Sequence, residues 1–365
     1  MRKNIKTLLC VTAFVGAMSS GIAFADNLTI SSGSTETISQ EATYDNIINA
    51  GTLNNNASLT VETSLQNSSS INNSSSIVTT EITNQSGASI TGVSGSIEIS
   101  NGGTNDGSIT QNIVNVTAGT LTNSGTISAE TFNNSGQLTG TGKLIAAGGS
   151  NSTTIEQDTI EITGNYTNNG TMTANKEFTN ASSDITGNGS LIIKDSTGNS
   201  SNGGSISQAI VNISGNKFTN TGSITASQEF TNSAAIEGAG SISASQGGTN
   251  TGSITQNEVT TGGTFNNGDG TTAGTITTDK LTNNGTFNNN SGSSIISDEI
   301  INNDKFINNG SIGSSSDKGT IDNKGTFTNN GSIIASTITN ETGKEFINNS
   351  GKEITAESFI NQGSV

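Results

Sequence analysis

Proline, tryptophan and histidine do not occur in this chain of 365 residues, cysteine occurs once, and the sole arginine is Arg2. Each absence excludes something. With no histidine and a single cysteine, Ser/His/Asp and Cys/His nucleophilic arrangements cannot be assembled, and neither can a histidine-based metal site. Cys10 alone cannot staple the chain. Only 29% of the residues are hydrophobic and 12% charged, too little apolar mass for a conventional globular core of this length. Disorder is the first reading of such a composition. Disordered chains, however, tend to be rich in proline or charge, and their apolar residues are not evenly spaced.

Here the spacing is kept. A seven-residue unit, an apolar residue followed by x-N-x-G-[S/T] and a second apolar residue, recurs as IINAGTL from Ile47, LTNSGTI from Leu121, YTNNGTM from Tyr166, FTNTGSI from Phe218, FINNGSI from Phe306 and FINQGSV from Phe359. A repeated unit too small to bury its own apolar residues must stack on its neighbours, so the chain reads as a solenoid. Ser64 to Ser76, where serine replaces the glycine of the unit, is expected to be loose.

Arg2, Lys3 and Lys6 precede an apolar run from Thr7 to Phe24, and Ala23-Phe24-Ala25 has the small-x-small form of a cleavage site. Residues 1–25, Cys10 among them, are therefore expected to be an export signal. Residues 26–365 are expected to form one repeat domain, with 26–50 as its N-terminal cap. Without the three basic residues of the signal, ten of the 13 remain against 29 acidic ones. Phosphate binding depends on lysine and arginine clusters, so no nucleic-acid partner is expected, and the acidity reads as a solvated surface.

The Asn-x-Gly core of the unit is turn chemistry, because both residues tolerate the left-handed backbone of a sharp bend. Apolar residues sit six apart across it, through Phe218, Ile224, Phe230, Ile236 and Ile242, flanked by Thr, Ser and Ile that suit a pleated surface. No segment beyond Ala25 sustains helical spacing. The expectation is an all-β chain: three faces per rung of roughly 18 to 20 residues, about 17 rungs, on the order of 80 Å long. Longer copies support stacking, since GGTNDGSITQN from Gly102 nearly equals GGTNTGSITQN from Gly247, and the stretch from Tyr166 matches that from Phe218. Equivalent residues, Phe178 with Phe230 and Asn180 with Asn232, are expected to align as ladders along the stack. Irregular intervals, five residues from Ile127 to Phe132 and eight from Phe346 to Ile354, favour a right-handed parallel β-helix over the stricter left-handed hexapeptide type.

No catalytic, cofactor-binding or metal site is expected. Glu156 with Asp158 and Asp298 with Glu299 are the carboxylate neighbours that glycoside hydrolysis would require, and they read as solvated surface. Tyr166 aligns with Phe218 and reads as core rather than a sugar platform. Gly102 to Asp106 approaches a calcium-binding nonapeptide, but Asn105 stands where that motif needs glycine, and the copy from Gly247 has Thr251 in place of Asp106. The glycine-rich NGDGTT from Asn267 reads as an inserted corner.

A signal followed by Gly/Asn/Ser/Thr-rich β-helical repeats, with no cysteine after Cys10, resembles the passenger domains of autotransporters and related large surface adhesins of Gram-negative bacteria. The resemblance implies a right-handed β-helix exported through an outer-membrane β-barrel, and a non-enzymatic adhesin or stalk at the cell surface or outside the cell, whose partner is a glycan or protein of a host or another cell. No cofactor is implied, and no functional residue carries over. The alternating strands of such a barrel are missing here. FINQGSV ends inside a copy of the repeat, so the chain is expected to be the front of a longer protein or to use a separate translocator. The competing expectation is a secreted β-helix enzyme acting on polysaccharide, although pectin-type lyases of that architecture use an arginine base, which residues 26–365 lack.

Overall fold

A computed structural model describes residues 26–365, and the expected signal, 1–25, lies outside the described residues. The described chain is all-β, and its strands pair in parallel to form one elongated β-solenoid of about 19 turns. At the usual spacing between strands this makes a rod of roughly 90 Å. The segment expected to be a cap, 26–50, contains strands Leu28–Ile30, Thr35–Ile38 and Ala42–Asn49. The first and last of these pair in parallel, in register with the turn that follows.

Each turn takes three straight steps, and each step turns two side chains inward, at positions i and i+2, as the alternation of a strand requires. In one turn these are Ile47 with Asn49, Leu53 with Asn55, and Leu59 with Val61, all buried. Each pair lies under its equivalent in the next turn, which produces three faces. On the first face Ile47 stacks on Leu65, Ile82 and Gly103. On the second Leu53 is followed by Ile71, Ile90 and Ile109. On the third Leu59 is followed by Ile77, Ile97 and Val114. A core one side chain deep on each face explains how so few apolar residues bury so long a chain.

Two kinds of corner set the turn length. Corners built on the Asn unit separate inward apolar residues by six, as from Ile47 to Leu53, whereas tight corners separate them by five, as from Ile127 to Phe132. The tight corner bends the middle of a nine-residue strand such as Thr126–Asn134. The five-residue interval is thus a regular element rather than an irregularity, and it allows turns as short as the 17 residues from Leu138 to Ile155. That is why about 19 turns fit where 17 were expected.

The corner asparagines are not in left-handed backbone: no residue other than glycine has positive φ among the described residues. Nor do the corner glycines of the unit, such as Gly125, Gly222 and Gly331, which are required for a different reason. A Cβ on any of them would collide with the backbone carbonyl of Gly107, Gly204 or Gly310 one turn below. The asparagines face inward. Asn49 donates through Nδ2 to Oδ1 of Asn67 at 2.8 Å, Asn67 to Asn84 at 2.8 Å, and Asn84 to Asn105 at 2.7 Å. The same Nδ2 groups also reach the backbone carbonyls of Ser70, Ser89 and Ser108. The amides of this ladder are thereby satisfied by their own stack, as burial demands, whereas Asn55 and Asn134, each the first of its ladder, keep a buried Oδ1 without a partner. The run from Ser64 to Ser76, expected to be loose, follows the same pattern, with strand Ser70–Asn73 and the buried amides of Asn67 and Asn73.

Candidate functional surface

The inward side is taken up by apolar contacts and amide ladders, which leave the outer surface as the part open to other molecules. Outward positions alternate with the core pairs and present mostly Ser, Thr and Asn. On the second face, Thr52, Ser70, Ser89, Ser108 and Thr126 form one row of equivalents, and Asn54, Asn72, Thr91, Thr110 and Ser128 form the next. The outward amides pair along the axis as well, Asn72 donating to Asn54 at 2.8 Å. No charged residue interrupts these ten positions.

Where corner glycines stack, the missing side chains leave open gutters. One, roughly 480 Å³, runs past Gly292, Gly310, Gly331 and Gly351, walled by Asn309, Asn330, Lys352 and Glu353. A second follows Gly325 and Gly343 between Asp304, Lys324, Lys344 and Glu345. A third passes Gly125 and Gly142 beside Lys143, Asp158 and Lys176. These are shallow troughs of backbone and short polar side chains with scattered charge of both signs.

Glu156 and Asp158 are tied to different partners. Glu156 accepts from Nδ2 of Asn175 at 3.1 Å, while Asp158 pairs with Lys176 at 2.6 Å. Glu299 faces Lys280 at 3.4 Å across a turn, and Asp298 stands exposed at the corner before it. Asp322 hydrogen-bonds the Lys324 ammonium and raises its pKa. Among the described residues, no group of three or more acidic side chains could hold a metal ion. In the stretch from Gly102, Asn105 is a buried ladder residue, donating to Asn123 at 2.7 Å, so its amide is not free to ligate.

Two inserted corners hold depressed carboxylates. At Asp195, burial would raise the carboxyl, but hydrogen bonds from the Ser200 hydroxyl, the Lys217 and Gly198 N–H groups and the Thr197 hydroxyl outweigh it and hold it below its usual value. Asp269, in the NGDGTT insertion, accepts from the N–H of Thr272 and from the hydroxyl and N–H of Thr271, which lower it to about 2. Both carboxylates organise their own loops. Tyr166 lies in the core with its hydroxyl unpartnered, and burial raises its pKa far above the ordinary range.

Sequence reasoning missed the outward rows and the glycine gutters, because neither has a local motif: they exist only once residues 17 to 22 apart are brought into register. No protein-family model matches the chain. No curated protein and no solved structure matches it either.

Proposed function

We propose that the chain is an exported, non-enzymatic solenoid of the cell surface that serves as an adhesin or a stalk, in the manner of the Gram-negative autotransporter passengers it resembles. One observation carries this reading. Most polar groups facing inward are engaged in ladders, while those facing outward are spread over rows, two of them uncharged for five turns, and open gutters rather than gathered around a reacting atom. Such a surface suits weak, repeated contacts along a polymer, whether a glycan or an extended protein segment. Delivery through an outer-membrane barrel, on the same chain or a separate one, belongs to the same reading.

The β-helix is also a fold of polysaccharide-acting enzymes, so the test must read both activities. Purified chain is applied to immobilised glycans and to cells, and its action on soluble polysaccharides is followed by release of new chain ends. Saturable binding without cleavage is expected. Projection from the cell surface without binding would select the stalk. Cleavage that vanishes in Glu156→Gln or Asp158→Asn would replace this reading with the enzyme.

A further inference from the structure

Four buried glutamines, Gln111, Gln157, Gln208 and Gln256, break the pattern of the ladders in the same way. Each accepts from the Nδ2 of an asparagine two turns below: Asn73 at 2.6 Å, Asn123 at 2.6 Å, Asn168 at 2.8 Å and Asn220 at 2.6 Å. Each Nε2 then donates to the backbone carbonyl of the preceding residue, at 2.7 to 2.9 Å. The turn between holds a glycine, Gly92, Gly140, Gly187 or Gly238, where a Cβ would strike the backbone of that same asparagine. The last three of these glycines also have positive φ. The glycine opens a gap in the ladder, and the longer glutamine reaches across it to satisfy the last amide.

The positions of these residues reveal a unit larger than the turn. From Gly102 the inward pairs are Gly103 with Asn105, Ile109 with Gln111, Val114 with Val116, Leu121 with Asn123, Ile127 with Ala129, Phe132 with Asn134, Leu138 with Gly140, and Leu144 with Ala146. From Asn199 they are Ser200 with Asn202, Ile206 with Gln208, Val211 with Ile213, Phe218 with Asn220, Ile224 with Ala226, Phe230 with Asn232, Ile236 with Gly238, and Ile242 with Ala244. The same eight steps fill 148–198, and a fourth copy starts at Gly247. Eight steps do not divide into turns of three, so equivalent residues move round the axis by one face per copy. Phe132 lies on the third face, stacked above Val114, and Phe178 on the second, above Ile160. Phe230 lies on the first, above Val211. After three copies the pattern returns to its face, which is why the near-identical stretches from Gly102 and Gly247 both lie on the first. The expected ladder of Phe178 with Phe230 is therefore not formed. Phe178 stacks with Ser200 and Phe218 instead.

We propose that this eight-step module, and not the turn, is the unit from which the solenoid is built, and that each module is clasped to the one before it by its glutamine. Gln157 of the second copy closes the ladder of the first, Gln208 of the third closes that of the second, and Gln256 of the fourth closes that of the third. Modules are then interchangeable along the axis, although inserting or removing one rotates everything beyond it by a face.

Two deletions in the full chain test this. Removing 148–198, one module, joins Ala147 to Asn199 and brings Gln208 above Asn123 with Gly140 still between. Removing 148–165, one complete turn, joins Ala147 to Tyr166, keeps parallel pairing, and sets Ala174 where Gln157 stood, so the Asn123 amide loses its side-chain acceptor and keeps only the Lys143 carbonyl. The larger deletion is expected to keep the β-type circular dichroism and thermal midpoint of the parent, and the smaller to lower the midpoint. A turn deletion as stable as the module deletion, or a module deletion that does not fold, overturns the proposal.

The clasp is read separately through Gln157. Gln157→Leu is expected to lower the midpoint at every pH. Gln157→Glu keeps the acceptor, but needs a proton to meet the carbonyl of residue 156. Its buried carboxyl is therefore raised, and its midpoint approaches the parent's in acid and falls as pH rises past about 4.3, the unfolded value. An unchanged midpoint in Gln157→Leu, or no pH dependence in Gln157→Glu beyond the parent's, sinks the clasp.

Discussion

Tyr166 occupies the step that Phe218 fills one module later, and the difference is a buried hydroxyl without a partner. Leaving such a group unsatisfied costs about 1–3 kcal/mol. Tyr166→Phe is accordingly expected to raise stability by about 1 kcal/mol or more, read as a higher urea midpoint with unchanged slope; a lower midpoint would mean that the hydroxyl has a role in the fold. At this scale the sequence showed which residues repeat better than what they do. The Asn-x-Gly unit reads locally as a left-handed turn, yet its asparagine is buried in an amide stack and its glycine yields room to the turn below. Local turn chemistry cannot distinguish these causes, because the collision that demands glycine comes from a residue about 18 positions away.

The segment with the most uniform stacking is the series of strands that places Phe265, Phe287, Phe306, Phe327 and Phe346 one above another. From Phe287 onward the ring centroids are 4.7 to 4.8 Å apart and the planes within 12°. That separation is the spacing of the strands themselves, so the backbone imposes face-to-face stacking that free aromatic pairs do not prefer. Earlier in the chain the same problem is met by interposing a small residue, Gly149 between Phe132 and Tyr166, or Gly248 between Phe230 and Phe265. Phe306→Ala, in the middle of the continuous stack, is expected to cost about 3–5 kcal/mol. Hydrogen exchange should show the loss concentrated in the adjoining turns, since a solenoid passes stability only between neighbours. A loss spread evenly over the whole chain would contradict that picture.

Across the whole molecule, charge is unevenly distributed: residues 26–142 carry nine carboxylates and no lysine or arginine, while all ten lysines after the expected signal fall between Lys143 and Lys352. Several of those lysines bridge turns, as Lys143 does to Glu161 at 2.8 Å and Lys217 to Glu237 at 2.6 Å. The first third has no such relief, so salt is expected to stabilise it by screening like charges. Amide exchange in residues 26–142 should slow as sodium chloride rises, more than in the remainder; faster exchange there would exclude self-repulsion as the cause. The parallel coil and its three faces were legible from spacing alone, and the absence of any helical period was decisive. The eight-step module was not legible, because its glutamine and glycine are tied only through the register of three successive turns. The long ladder on the first face, from Asn232 through Asn267 and Asn308 to Asn348, adds an electrical property. Every carboxamide in it points its N–H toward the C-terminal end and its oxygen toward the other, so the group dipoles add as peptide dipoles do in a helix, though with the positive pole at the C-terminal end. This part of the rod therefore has a built-in direction along its axis, expressed as partial charges of opposite sign at the two ends of the ladder.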